Sequence, residues 1–255
     1  MALRTWIPSM LLTAGVAIGT LPAHAQLISV VGTDHYLNRA VASKDSDAPG
    51  AVGPGADLAR EVLKRAGFEH TITIYPWARA YFMAQTEPNV MIISMARTPE
   101  REQDFKWVGE VAPVQYRLFK LKSRQDIRIK TLDDVKKFKI GVVSQDVAHL
   151  YLIHKRVPVS ALQVTPSYSL AFKMLVAGRI DLVPRSQFGL KQFCEEAPAD
   201  CGKIDSAYMM DEINSSLFMA FSKQTSDEVV NKTRKAYDQI RAEGTLATII
   251  EPALK

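Results

Sequence analysis

The sequence predicts an α/β fold of two lobes, on three observations. Short β-rich runs alternate with amphipathic helical stretches, the alternation stops and restarts partway along, and no flexible linker separates the two series. The first series opens with an apolar run over 27–31 that predicts a buried strand. A helix is expected over 57–66, because Leu58, Val62, Leu63 and Ala66 fall on one face and Gly67 supplies a C-terminal stop. Strands over 71–75 and 90–94 flank a helical stretch over 77–85. Strand, helix, strand, helix, strand is the pattern of a mostly parallel sheet covered by helices.

The second series begins with a strand-like run over 116–122. Thr131 reads as a helix cap, with Asp134 at the third helical position. A strand over 139–143, a helix over 146–154 and a strand over 161–165 come next. A helix over 169–177 stopped by Gly178 and a strand over 180–183 complete the unit. The tail adds a strand over 217–221 and a capping box from Thr225 to Glu228 that opens a long helix to about residue 242. Gly244 breaks that helix, and a short last one starts at Thr245. The absence of a linker implies lobes joined by crossing strands, near 113–115 and 215–217. Lobe 1 is then 26–114 plus 216–255, and lobe 2 is 115–215.

Bulk properties narrow the function. The chain has 255 residues, 47% hydrophobic and 23% charged, as in ordinary globular proteins. Residues 1–25 read as a cleavable signal peptide. Arg4 gives a basic start, 7–21 is apolar but broken by Pro8, Thr13, Gly15 and Gly19, and Ala23-His-Ala25 supplies the small residues at −3 and −1. The expected location is therefore outside the cytoplasmic membrane. The net charge of +5 includes Arg4 and is far below what a nucleic-acid-binding surface concentrates. The lysine- and arginine-rich stretch over 120–139 is interrupted by Asp126, Asp133 and Asp134, as expected of a solvated face. The only two cysteines, Cys194 and Cys201, lie seven residues apart, and in an oxidising compartment they predict a local disulfide.

At Ser94-Met-Ala-Arg97-Thr-Pro-Glu-Arg101, followed by Asp104-Phe105, the chain resembles the family-3 periplasmic solute-binding proteins, receptors of polar amino-acid ABC transporters. Three further stretches agree in order: Gly55-Ala-Asp57, Thr131-Leu-Asp-Asp134 with Lys139-Ile-Gly-Val-Val-Ser144, and Phe218-Met-Ala-Phe-Ser-Lys223 with Glu243-Gly-Thr-Leu-Ala-Thr-Ile249. The resemblance spans nearly all of the mature chain, and Tyr75-Pro-Trp-Ala-Arg-Ala-Tyr81 together with Asn89 marks a divergent subgroup. It implies a periplasmic-binding-protein type II fold with two hinge strands, a monomer that captures a small-molecule ligand and docks on an ABC permease at the inner membrane.

The resemblance also implies a ligand site. Arg101 would grip a carboxylate, for which a guanidinium offers a planar, permanently charged fork. Ser94, at the preceding strand end, would add a polar contact, and Arg97 would raise the local positive charge. In lobe 2, Ser144 and Asp146 sit where a strand passes into a helix, a place where backbone N–H groups favour anions; Asp146 either caps that helix or meets a ligand cation. Ser186 stands where amino-acid-binding members carry the acidic partner of the ligand ammonium, with Arg185 beside it. That substitution favours an organic acid or other anionic solute at least as much as an α-amino acid. Trp77 and Tyr36 are candidate aromatic walls.

Other chemistries find no support. Gly50-Ala-Val-Gly-Pro-Gly55 lacks dinucleotide-loop spacing, no nucleophile elbow occurs, and His149 and His154 are five apart, the wrong relation for a helical metal pair. The expectation is a non-enzymatic receptor without metal or cofactor. The alternatives are a dehydratase-like enzyme on the same scaffold, which would need a poised acid in the cleft, or a receptor for a signalling partner.

Overall fold

The computed structural model describes residues 26–42 and 50–255, so the expected signal peptide lies outside the described residues. The chain order is β1 (Leu27–Gly32), β2 (Arg39–Val41), β3 (Gly50–Val52), α1 (Pro54–Arg65), β4 (Glu69–Ile74), α2 (Trp77–Thr86), β5 (Val90–Ala96), β6 (Phe105–Val114) and β7 (Tyr116–Leu121). It continues through β8 (Ile140–Val143), α3 (Val147–His154), β9 (Leu162–Thr165), α4 (Tyr168–Val176), β10 (Val183–Ser186), α5 (Gln187–Glu196) and α6 (Pro198–Cys201). The last elements are β11 (Ile204–Met209), β12 (Ser215–Ser222), α7 (Asp227–Ala242) and α8 (Thr245–Leu254).

Two lobes result. The first holds a five-stranded sheet in the order β4-β1-β5-β12-β6. β1 pairs in parallel with β4 and β5, while β12 runs antiparallel to β5 and β6. The second holds the antiparallel set β10-β7-β11 and the parallel pair β8-β9, brought together by a parallel bridge between Ile140 and Leu182. The chain passes between the lobes where β6 leads into β7 and again before β12, where Ser215 pairs with Val114.

The helices form where the sequence pattern places them. Leu58, Ala59, Val62 and Leu63 of α1 are fully buried, each leucine or valine contributing roughly 1.5–3 kcal/mol. Gly67 and Gly244 take positive φ after α1 and α7, a conformation that costs glycine nothing. Thr131 and Asp134 form a reciprocal capping box, on a 3₁₀ rather than an α-helix over Leu132–Lys137.

Several expectations need correction. The cap of α7 is Ser226, whose hydroxyl accepts from the Val229 amide; Thr225 is buried and accepts the Asn89 amide instead, at 2.9 Å. The strand expected over 180–183 runs three residues later, because only Leu182 of that run bridges β8 and the ladder to β7 begins at Val183. The sequence reading also passed over β6, β11, α5 and the β2–β3 hairpin.

Candidate functional site

The carboxyl ends of the parallel strands in both lobes point at one another, the usual place for a ligand in open α/β sheets. Thr33 and Asp34 follow β1, Tyr75 to Trp77 follow β4, Asp146 follows β8, Pro166 to Ser169 follow β9, and Arg185 lies in β10. Together with Gln192 and Glu196 of α5 they line a cleft of about 410 Å³, within the range of small-molecule pockets. Its walls are largely apolar or aromatic: Ile74, Trp77, Val143, Phe172 and Phe193.

Asp146 caps α3 and lines the cleft. Its Oδ1 accepts the Ala148 amide at 3.0 Å, capping α3, and also the Tyr168 hydroxyl at 2.8 Å inside the cleft. Burial first, then the Asp146 charge, pushes the Tyr168 phenol well above its ordinary value, so it remains a donor. The neighbouring Tyr116 phenol is raised for the same two reasons. Asp34 accepts the Ala40 amide at 2.9 Å through Oδ1 and the Gln192 amide at 3.2 Å through Oδ2. Glu196 accepts from Gln192 at 2.8 Å and from Ser169 at 3.3 Å.

Arg185 is different. It is only 7% exposed, and its guanidinium lies 4.2 Å over the Tyr168 ring. Its Nε is buried without a hydrogen-bond partner, as is the Trp77 indole N–H.

Arg101 does not line this cleft. It is 2% exposed, lies 5.3 and 5.1 Å over the rings of Trp77 and Tyr81, and donates to the Ala96 carbonyl at 3.2 Å and the Gln145 carbonyl at 2.9 Å. The second of these bonds crosses from lobe 1 to lobe 2. Arg97 and Arg101 border a separate hollow of about 340 Å³ with His154, Lys155 and Glu212.

Arg97 is held by Glu102 in a two-nitrogen pairing at 2.8 and 2.5 Å, over Trp107 and Phe218. Ser94 donates to Asn38 Oδ1 at 2.8 Å, a contact within lobe 1. Tyr36 stacks on Phe188 of α5, and Ser186 caps α5 through the Gly189 amide at 3.3 Å. Ser144 lies next to the cleft residues but outside the lining. Of the expected site residues, then, the structure brings Trp77 and Asp146 together in the cleft.

Tyr168, Gln192, Glu196 and Phe172 were missed by sequence reasoning. Ser167-Tyr168-Ser169 directly after a strand was the available signal, because strand-end loops gather at such sites. Cys194 and Cys201 form a disulfide, at the end of α5 where Glu195 pairs with Arg39 of lobe 1 at 2.9 Å.

Residues 30–254 match the model of the bacterial extracellular solute-binding proteins, family 3. The chain belongs to that family. No functionally curated sequence matches it. Among solved structures it is similar to an amino-acid ABC transporter substrate-binding protein from Streptococcus pneumoniae bound to L-arginine, at 18% identity and TM-score 0.72, covering 89% of this chain and 94% of that one. A histidine kinase sensor domain with similarity to periplasmic binding proteins matches at 15% identity and TM-score 0.76, covering 90% and 96%. An ancestral amino-acid-binding protein, a precursor of cyclohexadienyl dehydratase, matches at 19% identity and TM-score 0.70, covering 90% and 95%. These likenesses define a type II periplasmic-binding-protein fold. Among the described residues no helix is long and apolar enough to cross a membrane.

Proposed function

We propose that this protein is a periplasmic receptor that captures a small, carboxylate-bearing polar solute between its lobes and presents it to an ABC importer, without chemical turnover. The observation that carries this reading is the interlobe cleft, lined from both lobes by strand-end residues and containing both Arg185 and Asp146. Lobe 1 comprises 26–114 plus 216–255 and lobe 2 comprises 115–215, with 113–115 and 215–217 absorbing the rotation. The ligand contacts Trp77 and Asp146, and closes the lobes by its greater affinity for the closed form. Arg101 belongs to the closure itself, through its bond to the Gln145 carbonyl.

A thermal-shift screen of amino acids, organic acids and polyamines tests the reading. A bound solute at a hundred times its Kd stabilises the fold by about 2.7 kcal/mol. Stabilisation by one class of carboxylates supports it, and turnover of the bound solute would contradict it.

A further inference from the structure

We infer that Arg185 of lobe 2, rather than Arg101 of lobe 1, is the anion anchor of the cleft, and that the solute it takes is a carboxylate with an apolar body. The inference rests on the receptor reading above and specifies its ligand.

Charge singles out Arg185. Asp34, Asp146 and Glu196 in the lining each accept protein donors, as described above. Arg185 is the exception: it is 93% buried by its 7% exposure, its Nε has no acceptor, and among the described residues no carboxylate pairs with it. A buried cation without a partner is costly, and one facing a cleft is satisfied by an anion that enters it.

The site is also built around this side chain. One face of its guanidinium lies on Tyr168, and the side chain packs against Gly189 in the first turn of α5. A Cβ at position 189 would overlap the Arg185 side chain, so the glycine makes room for it. Trp77 lines the same cleft from the other lobe. A planar carboxylate matches the guanidinium fork of Arg185. Arg101 Nε is buried without a partner too, but both terminal nitrogens of that guanidinium donate to backbone carbonyls and Arg101 lies outside the lining.

The walls set the body of the solute. Ile74, Val143, Phe172 and Phe193 offer no charge and little hydrogen bonding, which suits an aromatic or branched aliphatic group.

The test is calorimetric titration of the full mature protein with acid and amide pairs: L-phenylalanine and its amide, phenylacetate and phenylacetamide, 3-methylbutanoate and its amide. Wild type is expected to prefer at least one acid over its amide. Arg185→Gln should cut that acid's affinity about 10- to 100-fold and abolish the preference for the acid, while Arg185→Lys recovers part of it. Arg101→Gln should weaken acid and amide alike. Without solute, Arg185→Gln should melt at or above wild type, because a buried charge has been removed. Wild-type binding that Arg185→Gln leaves intact, with the acid preference lost in Arg101→Gln, overturns the inference and leaves the receptor reading standing. Selective binding of only charged-body solutes, such as L-arginine, overturns the apolar assignment. If neither these pairs nor the wider screen contains any solute that wild type binds, the receptor reading falls and the inference with it.

Discussion

Acidification should weaken the fold through His35. This residue lies in the loop after β1, is 7% exposed, and meets the Phe188 ring of lobe 2 edge-on at 5.9 Å. Its Nδ1 accepts the Leu37 amide at 3.4 Å, so the proton of the neutral ring sits on Nε2. Burial first, and the Arg185 charge second, hold its pKa well below the ordinary 6.5. In the unfolded chain the imidazole titrates near 6.5, so below that pH the unfolded state binds a proton that the folded state refuses. Stability is then fully present above 6.5 and falls as the pH drops, by up to about 1.4 kcal/mol per unit. Between pH 6.5 and 5.0 the loss is at most about 1.7 kcal/mol, because the unfolded imidazole is already half protonated at 6.5. His149, also lowered by burial with Asp146 opposing, adds a smaller effect of the same sign. Asp126, Asp134, Glu212 and Asp227 are all lowered from ordinary values of 3.8 or 4.5, so their stabilisation is lost at more acidic pH. Urea unfolding at pH 7.5, 6.5 and 5.0 measures the effect in wild type and His35→Gln. Wild type should be flat down to 6.5 and then fall, and the variant should lose most of that fall. Equal slopes in the two proteins would refute the assignment to His35.

Three other outcomes follow from local contacts. Replacing Cys194 and Cys201 by serine opens a loop of seven-residue separation and should lower unfolding free energy by about 2–3 kcal/mol in denaturant titration. Gly109→Ala drives a Cβ into the Tyr237 ring across β6 and α7, and calorimetry should show a loss of about 1–3 kcal/mol. Ser226→Ala removes the α7 cap at a cost of about 1 kcal/mol in the same assay, and retention of full stability would shift the cap elsewhere.

The parallel framework was legible because its central strands are nearly all buried and its helices carry one apolar side. The run 90–96 is nearly all buried, and the 3.6-residue spacing of Leu58, Val62 and Leu63 survives intact. β6 was passed over although Phe105, Trp107, Gly109 and Val111 alternate inward, because Pro113 and the neighbouring motif drew the reading toward a hinge. α5 was obscured by Gly189 and by the cysteine at its end, residues whose reason is tertiary.

The site divides in the same way. Residue type placed Asp146 and Trp77 in the cleft, since a cap and an aromatic after strand ends are local features. The orientation of arginines was not legible. Arg101 turns toward the Gln145 carbonyl of the other lobe, and Gln145 itself takes a positive φ of 61 that its sequence does not announce. Ser186 and Arg185 are adjacent in β10, and strand alternation puts the arginine rather than the serine into the cleft.

The most direct test of the account is calorimetric titration of the mature protein against the solute panel, repeated with Thr33→Trp, which fills the cleft at the end of β1. The account requires one solute per chain in wild type and no binding in the variant. Binding that survives in Thr33→Trp would place the site elsewhere and contradict the interlobe cleft as the seat of function.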